Sequence, residues 1–259
     1  MKKFEGVLFC SDWDGTLCIN EKLLECDIEA IRYFQSEGGI FTLASGRYAG
    51  HFKKYEQYIN PNTHMICVGG SCIMDKSGEI YYEKFCNNRF EEYTKLLMHP
   101  DSPYLQVQVT IQGHDPYIYD KETILSEEAK KILNSSTIYK AIFLTEWTKE
   151  AEEKALEYVK PLTFEGYMPM RSFPFSIELI PEDGGKGRAV RWLANRLGSR
   201  LVVAIGDYEN DIDMLKAADY GYAVSGGSPL ARAAANRFSA SVHNGAIASV
   251  IKELDMELS

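Results

Sequence analysis

Val7-Leu8-Phe9-Cys10-Ser11-Asp12-Trp13-Asp14-Gly15-Thr16-Leu17 is the stretch that decides how the chain is read. Its first residues form an unbroken apolar run closed by a serine, the pattern of a strand covered on both faces. Two acids spaced two residues apart follow at once, and then a Gly-Thr turn. Further along, Leu23 to Ser36 carries apolar residues at helical spacing (Leu24, Ile28, Ile31, Tyr33, Phe34) and stops at Gly38-Gly39. Ile40 to Ala44 reads as the next strand, Tyr48 to Tyr58 as a helix, and Met65 to Val68 as a third strand ending in Gly69-Gly70. This β-α-β-α-β order predicts a parallel sheet with right-handed crossovers.

The middle of the chain has another rhythm. Asn88 to Met98 looks helical. Leu105 to Gln112 alternates, with Leu105, Val107, Val109 and Ile111 against Gln106, Gln108, Thr110 and Gln112. A period of two predicts an antiparallel strand with one wet face, paired across Gly113-His114-Asp115-Pro116 with Tyr117 to Tyr119. Helices are expected from Ser126 and from Thr148 to Lys160, and strands at Ile138 to Thr145, Leu162 to Met168 and Phe175 to Ile180. After Pro181 the first pattern returns. It gives a helix from Gly187 to Leu197, a buried strand from Leu201 to Ile205, a helix from Ile212 to Ala218 and a strand from Tyr220 to Val224. Helices at Pro229 to Asn236 and Ala246 to Leu254 close the chain. The predicted fold is α/β: a doubly wound parallel core, residues 1–82 and 181–259, interrupted by an inserted α+β unit at 83–180.

The bulk properties narrow the function. With 259 residues, 45% of them hydrophobic, the chain has ample material for a core. A formal charge of -9 argues against a nucleic-acid partner. No run approaches the roughly 18 apolar residues of a spanning helix, and the basic start is interrupted too soon for a signal peptide. A cytoplasmic protein without a membrane partner, monomeric or weakly self-associating, is expected. The six cysteines all fall in the first third and contain no C-x-x-C pair, so they are read as reduced thiols.

Four segments carry chemistry, each at the carboxyl end of a predicted core strand or at a helix start, where open parallel sheets bind ligands. In Asp12-Trp13-Asp14-Gly15-Thr16, one carboxylate can attack phosphorus and form an acyl-phosphate. The other can give and take a proton, and a hard cation such as Mg²⁺ suits both acids and phosphate oxygens. In Ser45-Gly46-Arg47, a hydroxyl and a bare glycine amide can hold phosphate, and Arg47 can clamp an anion. Gly184-Gly185-Lys186-Gly187 places an ammonium before a helix, without the spacing of a P-loop. Gly206-Asp207-Tyr208-Glu209-Asn210-Asp211 adds another metal carboxylate in Asp207, with Asn210 and Asp211 to fix phosphate and the Lys186 ammonium. Each segment alone has an ordinary structural explanation as a turn, a cap or a solvated charge. Their order along one sheet edge does not.

Together the four segments resemble the motifs of haloacid dehalogenase superfamily hydrolases, and the chain is most similar to the Cof-type, subfamily IIB branch with an α/β cap. The resemblance implies a phosphatase acting on a small phosphorylated metabolite, such as a sugar phosphate or phosphorylated cofactor, with Mg²⁺. It implies Asp12 as nucleophile, Asp14 as general acid/base with its backbone carbonyl on the metal, and Ser45 and Lys186 on the phosphoryl group. On the same resemblance Asp207 would complete the metal shell and Asp211 would support it, with Gly15, Thr16, Gly46, Arg47 and Asn210 expected to line the phosphate site. The cap would close over the site and exclude water. Gly69-Gly70-Ser71 and Ser225-Gly226 depart from the branch's usual Asn-Gly-Ala and Asn-Ala, which bears on substrate identity. A phosphomutase shares the same intermediate. A non-catalytic phospho-aspartate switch shares the acidic strand end, but not the inserted unit.

Overall fold

A computed structural model describes residues 2–258. The chain divides into two compact units. One runs to Glu83 and resumes at Gly185, and the other is Lys84–Gly184. After the last strand of the second unit, Gly184 N–H closes a 2.8 Å turn onto the Pro181 carbonyl.

In chain order the first unit opens with β1 (Val7–Ser11), α1 (Glu25–Ser36), β2 (Ile40–Leu43), β3 (Met65–Cys67), β4 (Cys72–Met74) and β5 (Ile80–Glu83). The second contains α2 (Phe90–Met98), β6 (Gln106–Ile111), β7 (Tyr117–Asp120), α3 (Glu127–Ser135), β8 (Ile138–Leu144), α4 (Lys149–Val159), β9 (Tyr167–Met170) and β10 (Ser176–Pro181). The first unit then resumes with α5 (Lys186–Leu197), β11 (Leu201–Gly206), α6 (Ile212–Ala217), β12 (Tyr220–Ala223), α7 (Pro229–Ala234), β13 (Arg237–Phe238) and α8 (Ala246–Glu257).

The main sheet of the first unit is parallel, in the order β13-β12-β11-β1-β2. Every residue of β1 is buried, as its unbroken apolar run requires. Phe9 packs with Phe34 of α1 and Phe41 of β2, with ring centroids 5.8 and 5.7 Å away. Two expectations need correction. Residues 48–58 do not form an α-helix but a 3-10 run, Ala49–Tyr55. Its buried residues are Ala49, Phe52 and Tyr55. That three-residue spacing matches a 3-10 helix and seats both rings against Trp13, 5.0 and 4.7 Å away. The third strand meets the main sheet only through a parallel bridge, Ala44 to Ile66. Otherwise it pairs antiparallel with β4, which pairs with β5, in a three-stranded sheet. The chain reverses there because Val68, Gly69 and Gly70 all take positive φ.

The second unit is an antiparallel sheet, β7-β6-β8-β10-β9, with helices on one face. Tyr93 and Leu97 of α2 and Ala129 and Leu133 of α3 share its core with Val107, Val109, Phe143 and Leu179. Ser126 and Thr148 cap α3 and α4, accepting from the amides of Ala129 and Ala151 at 3.1 and 3.2 Å. Here too the sequence needs correction. Leu105 lies outside β6 and is 47% exposed, while Thr110, on the row expected to be wet, is 4% exposed. The strand expected from Leu162 begins only at Tyr167. Among the described residues no helix is long and apolar enough to cross a membrane. Cys26 is exposed and the other five cysteines are buried, all of them free thiols.

Candidate active site

Register builds the site. Ser11 is level with Ile205 of β11 on one side and with Leu43 of β2 on the other. The residues just past these strand ends are therefore delivered to one edge: Asp12 after β1, Ser45 after β2 and Asp207 after β11. The Asp12 amide extends the pairing, donating to the Ile205 carbonyl at 3.0 Å. Lys186 begins α5 and points its stem through the core, fully buried. Its ammonium donates to Asp12 Oδ1 and Asp211 Oδ1, both at 2.6 Å.

Asp207 stands beside this pair. Oxygens of Asp12, Asp207 and Asp211 all lie within 4.8 Å of one another. Thr16 donates its hydroxyl to Asp207 Oδ1 at 3.0 Å. A Cβ on Gly15 would sit 2.5 Å from Asp207 Oδ2, so a bare backbone is needed for the close approach. Although Asp211 belongs to this cluster, both its oxygens are engaged. Oδ1 is on Lys186, and Oδ2 accepts from the amides of Asp207 and Tyr208 at 3.0 and 3.2 Å. Asp211 therefore supports the arrangement, and Asp12 and Asp207 are the carboxylates with capacity to ligate.

Three carboxylates against one ammonium leave a formal charge of -2 in a mostly dry site. Burial, and then the neighbouring Asp211, push the Asp12 carboxyl well above the usual range against the pull of Lys186. The same two causes push Asp207 up to about 7. Burial works against the Lys186 charge, but Asp12 and Asp211 outweigh it and hold the ammonium protonated. An excess of two negative charges on hard oxygen donors is the deficit that a divalent cation cancels, so the residues present fit a metal ion.

The other predicted residues are placed as follows. Ser45 is fully buried, and its hydroxyl oxygen accepts from the Arg47 amide at 3.2 Å. Gly46 lies between them. Asn210 is half-buried in the 3-10 turn Glu209–Asp211, on the same strand end as Asp207. Arg47 is not available as a free anion clamp. Its Nε and Nη2 grip both oxygens of Asp14, at 2.8 and 2.7 Å. The Asp14 carboxylate, 58% exposed, thereby stands apart from the three clustered acids. The sequence reading also passed over a contact between backbones. A Cβ on Gly70 would lie 2.2 Å from the carbonyl carbon of Gly185, so the loop after β3 presses on the residue before Lys186. The two glycines were the only signal of it.

The sequence profile of the haloacid dehalogenase-like hydrolases matches residues 9–251. A protein of Streptococcus pyogenes serotype M6, provisionally named a phosphatase, is 24% identical over 264 residues, which is 95% of this chain and 97% of that protein. A haloacid dehalogenase-like hydrolase from B. subtilis superposes with a TM-score of 0.78 at 20% identity, covering 95% of this chain and 99% of that one. A subclass IIB sugar phosphatase superposes with a TM-score of 0.74 at 17% identity, covering 97% and 99%. The carboxylate edge of the parallel sheet and a profile match over nearly the whole length lead to one assignment: the chain belongs to the haloacid dehalogenase-like hydrolase family.

Proposed function

We propose that the chain is a cytoplasmic Mg²⁺-dependent phosphatase that hydrolyses small phosphomonoesters through a phospho-aspartate on Asp12. The observation that carries this reading is the fully buried Lys186 ammonium, bridging Asp12 and Asp211 with Asp207 in the same cluster. An Asp12 carboxylate oxygen attacks phosphorus and the ester C–O oxygen leaves with the proton of Asp14. Water then attacks the acyl-phosphate, giving its proton to Asp14 and releasing phosphate. Ser45 and Lys186 hold the equatorial oxygens, and Gly15, Thr16, Gly46 and Asn210 shape the rest of the phosphate site. Asp12, Asp207 and the Asp14 carbonyl would hold Mg²⁺, which when bound supplies charge neutralisation for the phosphoryl oxygens. Arg47 acts through Asp14, aiming its carboxylate. The Lys84–Gly184 unit is read as the cap that sets substrate choice.

The test is phosphate release from a panel of phosphorylated metabolites, with Mg²⁺ and with chelator, for the wild type and Asp12→Asn. Mg²⁺-dependent release by the wild type, reduced at least about a thousandfold by the substitution, is expected. Equal release by both proteins removes Asp12 as nucleophile, and no release from any ester removes the reading.

A further inference from the structure

The helix that carries Lys186 cannot cap itself. Its N-cap residue, Gly185, has φ 100° and no side chain. Glycine is favoured there because L side chains avoid that conformation. The first amides of α5 therefore need an acceptor from elsewhere. Asp213, in the first turn of α6, supplies one. Its Oδ2 accepts from the Gly187 amide at 2.8 Å, and its Oδ1 from its own neighbour Met214, also at 2.8 Å. This is the bond that a Ser, Thr or Asp at position 185 would normally make to the second helical amide. The fit is close: a Cβ on Gly187 would lie 2.4 Å from the Asp213 carbonyl oxygen and 3.1 Å from Oδ2. Asp213 bonds to the backbone one residue past Lys186, while Asp211, two residues before it, bonds to the ammonium. One short segment thus grips Lys186 at its root and at its tip.

We propose that Asp213 is a positioning residue for phosphoryl transfer. As a cap donated by another helix, it fixes the first turn of α5 and so holds the Lys186 ammonium between Asp12 and Asp211. A small displacement of such a group is costly in a reaction that depends on alignment. The kinetic consequence rests on the phosphatase reading, whereas the capping does not.

The test compares Asp213→Ala, Asp213→Asn and Asp213→Leu in the full chain. The carboxamide oxygen of Asn keeps the acceptor, and Leu keeps the bulk without it. Two readouts are taken: hydrogen exchange of the Gly187 amide, and steady-state hydrolysis of p-nitrophenyl phosphate with Mg²⁺. In Ala and Leu, Gly187 protection should fall at least about tenfold and kcat about tenfold, with KM within about twofold. Asn should restore both. Protection retained in a folded Ala or Leu variant overturns the capping. Protection lost with kcat unchanged overturns the positioning role. A variant that fails to fold is set aside and the Asn–Leu or Asn–Ala pair decides. If the wild type hydrolyses nothing, the phosphatase reading fails, and exchange at Gly187 together with the Lys186 Nζ resonance still tests the cap.

Discussion

Replacing Asp207 by Asn should make the metal-free protein more stable while abolishing its use of a divalent cation. Asp207 shares a site with Asp12 and Asp211 and only one ammonium. Burial and Asp211 push its carboxyl from the ordinary 3.8 up to about 7. The folded state thus holds this proton more tightly than the unfolded chain. The group costs nothing below about pH 4, costs progressively more as pH rises towards 7, and costs its full amount above that. About three pKa units correspond to roughly 4 kcal/mol as an upper bound, and relaxation around the site brings the expected gain nearer to about 2 kcal/mol. For a chain of this size that is roughly 4–8 °C in Tm. Asn keeps an acceptor for the Thr16 hydroxyl and removes the charge. The assay is thermal unfolding in chelator at pH 5 and pH 8, then with Mg²⁺. The wild type should be raised by Mg²⁺ mainly at pH 8, whereas the variant should start higher at pH 8 and respond little. Equal Tm values in chelator at pH 8, or equal responses to Mg²⁺, would refute the charge-excess argument.

Three further outcomes follow from particular contacts. Gly15→Ala forces an L residue into φ 83° and sets a methyl 2.5 Å from Asp207 Oδ2. Turnover should fall about a hundredfold while Tm falls only roughly 2–6 °C, and a Tm loss without an activity loss would count against the close approach. Asp27, fully buried on α1, caps α8 by accepting from Ala248 N–H at 2.8 Å, and burial pushes its carboxyl up to about 6. Its ionisation therefore destabilises the fold as pH rises from about 4 to 6, so Asp27→Asn should raise stability by roughly 1–2 kcal/mol at pH 8 and hardly at pH 4, read from urea midpoints at the two pH values. Phe34→Ala empties a fully buried site between Phe4 and Phe9, whose ring centroids are 4.8 and 5.8 Å away, and should cost about 3–5 kcal/mol in urea unfolding; a loss under about 1 kcal/mol would mean that the cluster repacks.

Much of this was legible in the chain because it is local. The apolar run at residues 7–11 gave β1 to the residue, β10 is buried throughout, and β11 is buried from Val202 onward. The order of the four chemical segments anticipated that Asp12, Lys186, Asp207 and Asp211 would meet: the register of β1 with β11 brings Asp12 and Asp207 level, and the buried start of α5 carries Lys186 to Asp12 and Asp211. What sequence could not supply was choice of partner. Arg47 carried the mark of an anion clamp, but the anion it grips is the chain's own Asp14. Ala49, Phe52 and Tyr55 fit an α-helix and a 3-10 run about equally until Trp13 fixed the spacing. β4 and β5 span only three and four residues, too few for any period to show. Asp213 was not singled out at all, because the amide it serves lies 26 residues earlier in the chain.

The long excursion from Lys84 to Gly184 contributes none of the clustered acids, nor the ammonium, nor the hydroxyls beside them. Those groups are anchored by strand ends and helix starts that would keep their register whatever was spliced between β5 and α5. Such a division frees the excursion to diverge, lengthen or be exchanged wholesale without rebuilding the reactive chemistry. On the proposed reading of that unit as the cap, selectivity and reactivity can drift independently, and a chimera carrying a foreign excursion should inherit its donor's preferences along with the acids and ammonium of this chain.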